Sequence, residues 1–460
     1  MISPLILVTG STGYIASRLI PRLLDSSYRV RCLAREPLRL KGRSWFPHVE
    51  VIQGDVMTPS TLRVAMEGVH TAYYLVHNMT YGRGYTTLEV KAARAFASVA
   101  EEAGLEHIIY LGGLADPEQH IAPHMRSRIE TGRVLREGNV PVTEFRAGVI
   151  TGSGSISFEM IRFMTELFPI VPGPLWMRNK SQPIAIQNVI DYLIAALTNP
   201  NGRGGVFEVG GPDIAAYGDL MLGYASIRGL KRKMLLLPGI PLWFMAFGVD
   251  LMTPVPYPIA HALIDGLSAD SVVKHPEALT VFPEVKLIDF QTATRDALEK
   301  THPVHIERVW DTGKNFGSLP ENNSSNYDSK ETSEVWLTLK HEGCFIDHRE
   351  VTIHAEPEKV PHVIKQLSDK SNWVVEVNQA GQILVCVKDQ LAGKKWIEWR
   401  IRHVENVATT PRRRVTHITQ TGFFSPRGLP GFLYWYLLYP FHLLNFRGLI
   451  KCIAMQSETR

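Results

Sequence analysis

The chain has 460 residues, a formal charge of +4, and 45% hydrophobic and 20% charged residues; this is an ordinary globular composition, long enough for two or three domains. The basic excess is spread thinly, with Arg412-Arg413-Arg414 as the tight run, which argues against a nucleic-acid partner. Four cysteines, Cys32, Cys344, Cys386 and Cys452, stand far apart without a Cys-x-x-Cys pair, so neither a disulfide framework nor a zinc site is expected, and a reducing compartment fits.

The first 150 residues alternate short β-branched apolar runs with segments of helical spacing, the pattern of βαβ units on a parallel sheet. Strands are predicted at Leu5 to Val8, Tyr28 to Leu33, Val49 to Gln53, Thr71 to Val76, His107 to Leu111 and Val142 to Arg146. Helices are predicted at Tyr14 to Asp25, Pro59 to Met66, Thr86 to Ala103 and His124 to Arg136, giving a doubly wound, Rossmann-type sheet. The start, MISPLILVTG, lacks a basic leader before its apolar run, so a cytoplasmic protein is expected.

Between the first strand and first helix lies Gly10-x-x-Gly13-x-x-Ala16. Gly10 permits the tight turn, Gly13 lets backbone amides approach a pyrophosphate at the positive helix end, and Ala16 leaves room for helix against strand. The second strand ends near the place of the adenosine ribose. Arg35 there, with Arg31 and Arg39 close in sequence, suits the 2′-phosphate of NADP, although Glu36 beside it keeps NAD as the alternative. Asp55 and Val56 follow the third strand, where the adenine would lie; Asp55 also fits a helix cap.

After Gly152 the pattern loosens around PIVPGPLW and PGIPLWFMAFGVDLMTPVPYPIAHAL. Residues 150–300 read as a small substrate lobe mixed with returning strands such as PIAI and VFEV, within a first domain of residues 1–310. Residues 311–334, rich in Ser, Asn and Gly, read as a linker. Residues 335–460 read as a second, α+β domain, with strand-like alternation in VWLTLKHEGCF, QILVCVKDQ, KKWIEWRIRHVE and RRVTHITQTGFF. Its tail, GFLYWYLLYPFHLLNFRGLIKCIA, is interrupted by Pro440, His442, Asn445 and Arg447, so it does not read as a membrane span. A helix packed on its own sheet is expected; Tyr434, Trp435, Tyr436 and Tyr439 also suit peripheral membrane contact.

TGSTGYIA, GDV, YYLVHNM, SRIETGRVLRE, PVTEFRAGVITGSGSISFEMIRF, PIAIQNV and FEVGGPD, in that order, resemble the atypical short-chain dehydrogenase/reductase superfamily, near its NmrA-like NAD(P)H-binding proteins. The resemblance covers residues 4–300. It implies that Gly10, Thr12, Gly13, Tyr14 and Ile15 line the pyrophosphate, Arg35 the 2′-phosphate, Asp55 and Val56 the adenine, and Leu75, Val76 and His77 the ribose. The tail region resembles the carboxy-terminal domain of unknown function carried by bacterial members, which implies a helix-grip fold of the kind that holds lipids.

Active members of that superfamily use a Ser after the fifth strand and Tyr-x-x-x-Lys on the next helix. Here Gly112 and Gly113 stand where the Ser belongs, and His124 and Arg128 keep the four-residue spacing. With an unperturbed pKa near 6.5, His124 is a candidate general acid; Arg128 would depress that pKa, yet its planar fork suits a ribose hydroxyl or phosphate. The bland alternative has His124 capping the helix and Arg128 pairing with Glu130 or solvent. Arg146 and Ser155 are expected on the substrate side of the pocket. HEGCF lacks the second His of a zinc-protease helix, so no metal is expected. Two functions follow as expectations: an NADP-dependent oxidoreductase or isomerase on an apolar substrate, or a non-catalytic NADP(H) sensor or lipid- or quinone-associated binding protein.

Overall fold

The computed structural model describes residues 3–40, 43–77, 85–119, 121–252, 255, 257–305, 344–369, 371–379, 381–388, 392–405 and 414–459. The expected linker at 311–334 and the pair Arg412-Arg413 fall outside the described residues. The chain divides into two compact units, Met1–Thr165 with Ile170–Lys300, and Glu166–Pro169 with Thr301–Arg460.

The first unit is built on β1 (Leu5–Val8), β2 (Arg29–Ala34), β3 (Glu50–Gln53), β4 (Thr71–Tyr74), β5 (His107–Gly113) and β6 (Val142–Ala147). With Val206–Val209 they form a seven-stranded sheet in the order Val206–Val209, β6, β5, β4, β1, β2, β3, every pair parallel. The central strands β1, β4 and β5 are buried at every position because both faces of the sheet are covered there, while β3 at the edge is partly exposed. Ile6, Val8, Tyr73, Ile109 and Phe145 face one core, and their neighbours Leu5, Leu7, Ala72, Tyr74 and Ile108 face the other. The helices are α1 (Tyr14–Asp25), α2 (Pro59–Met66), α3 (Tyr85–Glu102), α4 (Pro123–Leu135), α5 (Ile156–Leu167) and α6 (Ile186–Ala195). Leu19 and Leu23 of α1 and Leu193 of α6 close the first core, while Leu62 of α2, Phe96 of α3 and Leu135 of α4 close the second.

VFEV, expected within the substrate lobe, is the seventh strand of this sheet. Phe207 turns inward to ring contacts with Phe145 and Phe282 at 5.9 and 5.2 Å, which seals the sheet edge beside β6. The lobe itself contains a parallel pair, Ile170–Pro174 with Lys233–Leu237, and α7 (Tyr217–Ile227), α8 (Leu242–Met252), α9 (Tyr257–Gly266), α10 (Glu277–Val281) and α11 (Phe290–Glu299). Pro241 stands just before α8 and accepts hydrogen bonds from Phe244 and Met245, so that proline opens a helix instead of breaking one.

The second unit carries an antiparallel sheet in the order Phe345–Ile353, Arg414–Pro426, Gly393–Glu405, Gln382–Val387, Trp373–Gln379. α12 (Lys359–Asp369) and α13 (Gly428–Thr459) pack on it. The apolar tail is one helix with Pro440 inside. Trp435 is buried and stacks on Phe345 and Phe424 at 5.2 and 5.5 Å. Leu437, Phe441 and Leu444 lie on its exposed side. No helix among the described residues is long and apolar enough to cross a membrane.

Candidate functional site

The sheet order reverses between β1 and β4, and their carboxyl ends open the crevice in which ligands of such sheets bind. Thr9 leaves β1 with its hydroxyl donating to the Tyr73 carbonyl at 2.9 Å, and Ser11 donates to the Leu33 carbonyl at 2.9 Å. These bonds hold the glycine turn between the ends of β4 and β2. Gly10 has φ +64°, and a Cβ there would lie 2.5 Å from the Leu75 carbonyl oxygen. A Cβ on Gly13 would lie 2.8 Å from the Gly10 oxygen. Gly13 caps α1 without a side-chain hydrogen bond, and no acidic residue occupies the first turn. The positive end of α1 thus carries no side chain of opposing charge, the setting that a pyrophosphate needs.

Arg35 is exposed just past β2, beside exposed Glu36. Arg31 belongs elsewhere: it pairs with Glu50 at 2.8 Å and donates to the carbonyls of Ala65 and Glu67. Arg39 sits on the short 3-10 turn Pro37–Leu40. Asp55 accepts from the Met57 amide at 2.9 Å and shapes the turn ahead of α2, whose cap is Thr58. Val56 is buried against the second core.

A cavity of about 240 Å³ lies at the carboxyl edge of the sheet. Ile15, Leu75, Val76 and His77 bring it to the nucleotide turn, and Gly112, Gly113, His124, Met125 and Arg128 form its β5–α4 wall. Ser155, Tyr217, Leu263, Gly266 and Ser271 belong to the lobe side. The sequence-predicted His77, His124, Arg128 and Ser155 thus meet on one cavity. Arg146 does not join them: it lies 2.7 Å from Glu144, two residues away on the same face of β6, in an ion-pair cluster that includes Arg136. Ser155 spends its hydroxyl on the Ile150 carbonyl at 2.7 Å.

His124 is buried on the first turn of α4, whose cap is Ala122, so it caps nothing itself. Its Nδ1 is buried without a hydrogen-bond partner among the described residues, as is Nε2 of His77. Burial, then the Arg128 charge, then His77, lower the His124 pKa to about 3 against the opposing pull of Glu89. The ordinary value near 6.5 assumed for a general acid does not hold, and His124 is neutral at physiological pH. His77 falls to about 4, again chiefly by burial and then by Arg128. Arg128 donates to the Leu111 carbonyl at 3.3 Å, and Glu130 pairs with Arg133.

Sequence reasoning missed the group that organises this wall. Glu89 of α3, only 4% exposed, accepts from Nδ1 of His77 at 2.7 Å and from the Ser127 hydroxyl. With Nδ1 donating, neutral His77 presents the lone pair of Nε2 as an acceptor. The signal was available: Glu89 falls on the stripe Ala92, Ala93, Phe96, Ala100, all buried, where a carboxylate is out of place without partners. Gly266, at the end of α9, gave no such signal. A Cβ there would lie 2.7 Å from Cε1 of His124, so the absence of a side chain is what admits the imidazole. A Cβ on Gly113 would lie 2.7 Å from the Met125 methyl, so the packing leaves little space for a serine.

Residues 3–201 match the model of the NmrA-like family, and residues 371–449 match a protein of unknown function, DUF2867. The chain is 28% identical over 280 residues to the (4-alkanoyl-5-oxo-2,5-dihydrofuran-3-yl)methyl phosphate reductase of Streptomyces griseus, covering 56% of this chain and 85% of that one. Among solved structures, it is similar to the triphenylmethane reductase of Citrobacter sp. complexed with NADP(H), with a TM-score of 0.53, 19% identity, and coverage of 64% and 99% of the two chains. The NADPH-dependent quinone oxidoreductase of Escherichia coli gives a TM-score of 0.52 at 16% identity, covering 63% of this chain and 98% of that one. At such identity the two structures show the Rossmann-type fold of the first unit.

Proposed function

We propose, from the match of residues 3–201 to the NmrA-like family model, that this chain is an NADP(H)-dependent reductase of apolar, conjugated carbonyl compounds. The observation that carries the reading is the cavity at the sheet's carboxyl edge, lined by neutral His77 and His124, each with one buried ring nitrogen that has no hydrogen-bond partner among the described residues. Of the relatives described above, two are reductases and the third a quinone oxidoreductase; the triphenylmethane reductase is complexed with NADP(H) and the quinone oxidoreductase depends on NADPH.

The glycine turn fits a dinucleotide because its tight path admits no side chain, a Cβ at Gly10 meeting the Leu75 carbonyl and one at Gly13 the Gly10 carbonyl, and a bare turn of this kind lets a phosphate approach the backbone closely. Gly10, Thr12, Gly13, Tyr14 and Ile15 would hold the pyrophosphate, Arg35 the 2′-phosphate, Asp55 and Val56 the adenine, and Leu75, Val76 and His77 the ribose. When bound, the cofactor supplies a hydride from its nicotinamide ring. His77, its tautomer fixed by Glu89, accepts a hydrogen bond from a ligand hydroxyl at Nε2. His124 has no imidazolium proton to give at neutral pH. Its N–H stabilises negative charge developing on a substrate oxygen. With no proton whose pKa lies near the operating pH, His124 serves a product oxyanion as a hydrogen-bond donor, and a saturated alkoxide, with its charge on one oxygen, is served less well than a delocalised one. A delocalised enolate or phenolate survives on hydrogen bonding and takes its proton from water afterwards, which favours an enone or quinone. Isomerisation is the weaker reading, because imidazoles with pKa values of about 3 and 4 are poor bases.

A second reading, a non-catalytic NADP(H) sensor or lipid- or quinone-associated binding protein, is favoured by Gly112 and Gly113 in place of a serine and by the outward apolar side of α13. The deciding experiment follows NADPH absorbance with the full chain and a panel of quinones and enones. Steady consumption with at least one acceptor supports the reductase. Tight NADPH binding without consumption by any acceptor selects the sensor, and absence of NADPH binding overturns both.

A further inference from the structure

Helix α8 has two apolar sides. Ala246 and Val249 are buried, and Met245 with Val249 walls a second cavity of about 30 Å³. That cavity shares Met160, Tyr217 and Leu267 with the larger one, so the inner side of α8 adjoins the site. The outer side repeats at helical spacing: Trp243, Phe247 and Leu251 are 59%, 51% and 68% exposed, with Phe244 beside them at 56%. Eleven residues at 1.5 Å each reach about 16 Å, roughly half of a bilayer's hydrocarbon core, so such a helix lies along a surface and does not cross it.

The charge along the stretch of chain that leads through this face is one-sided. From Arg228 to Met252 the chain carries Arg228, Lys231, Arg232 and Lys233 against a single acid, Asp250. Asp250 is turned to the start of α9, where it accepts from the Tyr257 amide at 2.9 Å. Arg232 is tied down by the Thr165 carbonyl at 2.6 Å, which fixes the basic segment to the body of the unit. The strand Lys233–Leu237 then alternates, with Lys233, Leu235 and Leu237 exposed on one face. Cations followed by exposed Leu, Trp and Phe are the composition of a helix that settles at the boundary of anionic headgroups and acyl chains.

We infer that the outer side of α8, with the exposed face of Lys233–Leu237, docks on an anionic lipid surface and admits apolar substrate from it past the inner side of α8. The docking stands on this face alone; the admission of substrate rests on the reductase reading above.

The test is co-sedimentation of the full chain, without cofactor, with phosphatidylcholine vesicles that contain or lack phosphatidylglycerol. The expected result is binding that needs phosphatidylglycerol and weakens with added salt. The double variant Trp243→Ser, Phe247→Ser, altered only at exposed positions, should bind at least about tenfold more weakly while retaining wild-type NADPH affinity. Lys231→Glu with Lys233→Glu should remove the preference for phosphatidylglycerol. No binding to either vesicle overturns the inference. So does unchanged binding by the Trp243, Phe247 variant, which would move the contact to the apolar side of α13. Self-association abolished by the same variant, without vesicle binding, would assign the face to a second copy. Loss of vesicle binding alongside unchanged NADPH oxidation of a water-soluble acceptor separates docking from catalysis.

Discussion

Nδ1 of His77 lies 2.7 Å from Oε1 of Glu89, and the other oxygen of that carboxylate takes the Ser127 hydroxyl. One acid on α3 thereby joins the exit of β4 to α4 across the base of the cavity. Replacing it with leucine leaves two donors without an acceptor in a buried setting, at a cost of about 1–3 kcal/mol for each. Glu89→Leu should therefore lower the urea midpoint clearly, while Glu89→Gln, which keeps an acceptor oxygen, should lower it less. Equal midpoints for Glu89→Leu and wild type would show that this network contributes nothing to stability.

The cofactor-binding roles proposed for Arg35 and Gly10 are separable by substitution. Arg35→Ala should weaken NADPH roughly 10- to 100-fold, the size of one lost charge-assisted hydrogen-bond set, and leave NADH unchanged. Gly10→Ala should weaken both, because the new Cβ lies 2.5 Å from the Leu75 oxygen in a backbone region with φ +64°. Fluorescence titration with each nucleotide distinguishes the two patterns. An equal loss of NADPH and NADH affinity in Arg35→Ala would remove that arginine from 2′-phosphate recognition.

His77, His107 and His124 are all held neutral in the fold, at about 4, 4 and 3, chiefly by burial. An unfolded chain protonates the same imidazoles near pH 6.5. Between that value and the folded pKa the unfolded state binds more protons, so stability is complete above about pH 6.5 and falls as pH drops toward 4. The slope is about 1.4 kcal/mol per pH unit for each group. Denaturation at a series of pH values should show this loss, and His107→Asn should flatten it without touching the cavity. The same shifts predict that no step in kcat between pH 5 and 8 belongs to His124.

The parallel sheet was legible because its strands and helices differ in period. β1, α1 and α2 begin and end where the spacing predicts, and β2, β3, β5, β6, α3 and α4 shift by one or two residues. β4 stops at Tyr74, two residues early, because Leu75 and Val76 leave the ladder to meet the glycine turn. Trp373–Gln379 escaped notice because most of its side chains are exposed and a bulge between Val375 and Val377 breaks its alternation. Among site residues, Gly10, Gly13 and His124 are readable from local spacing. Arg146 was misplaced because its partner Glu144 lies two positions away on the same strand face, a pairing that sequence reasoning had not considered. The lowering of the His124 pKa by Arg128 follows from the four-residue spacing, but the larger cause, burial, does not, since α9, whose Gly266 packs against the ring, lies more than a hundred residues later.

That dependence on α9 gives the sharpest test of His124. A Cβ at Gly266 would stand 2.7 Å from Cε1 and 3.0 Å from Nε2 of the imidazole, too close for the ring to stay where it is. Gly266→Ala should therefore reduce kcat/KM for an identified acceptor by roughly 10- to 100-fold, the range over which misplacing one catalytic hydrogen-bond donor acts. The glycine turn is elsewhere on the sheet edge, so NADPH affinity should hold. If the alanine acts only by displacing the ring, it should have no further effect in a His124→Ala background, where the ring is gone. The double-mutant cycle then returns a coupling as large as the single effect. Additive losses would mean that Gly266 shapes the cavity independently of His124, and an unaffected single variant would show that the imidazole takes no part in turnover.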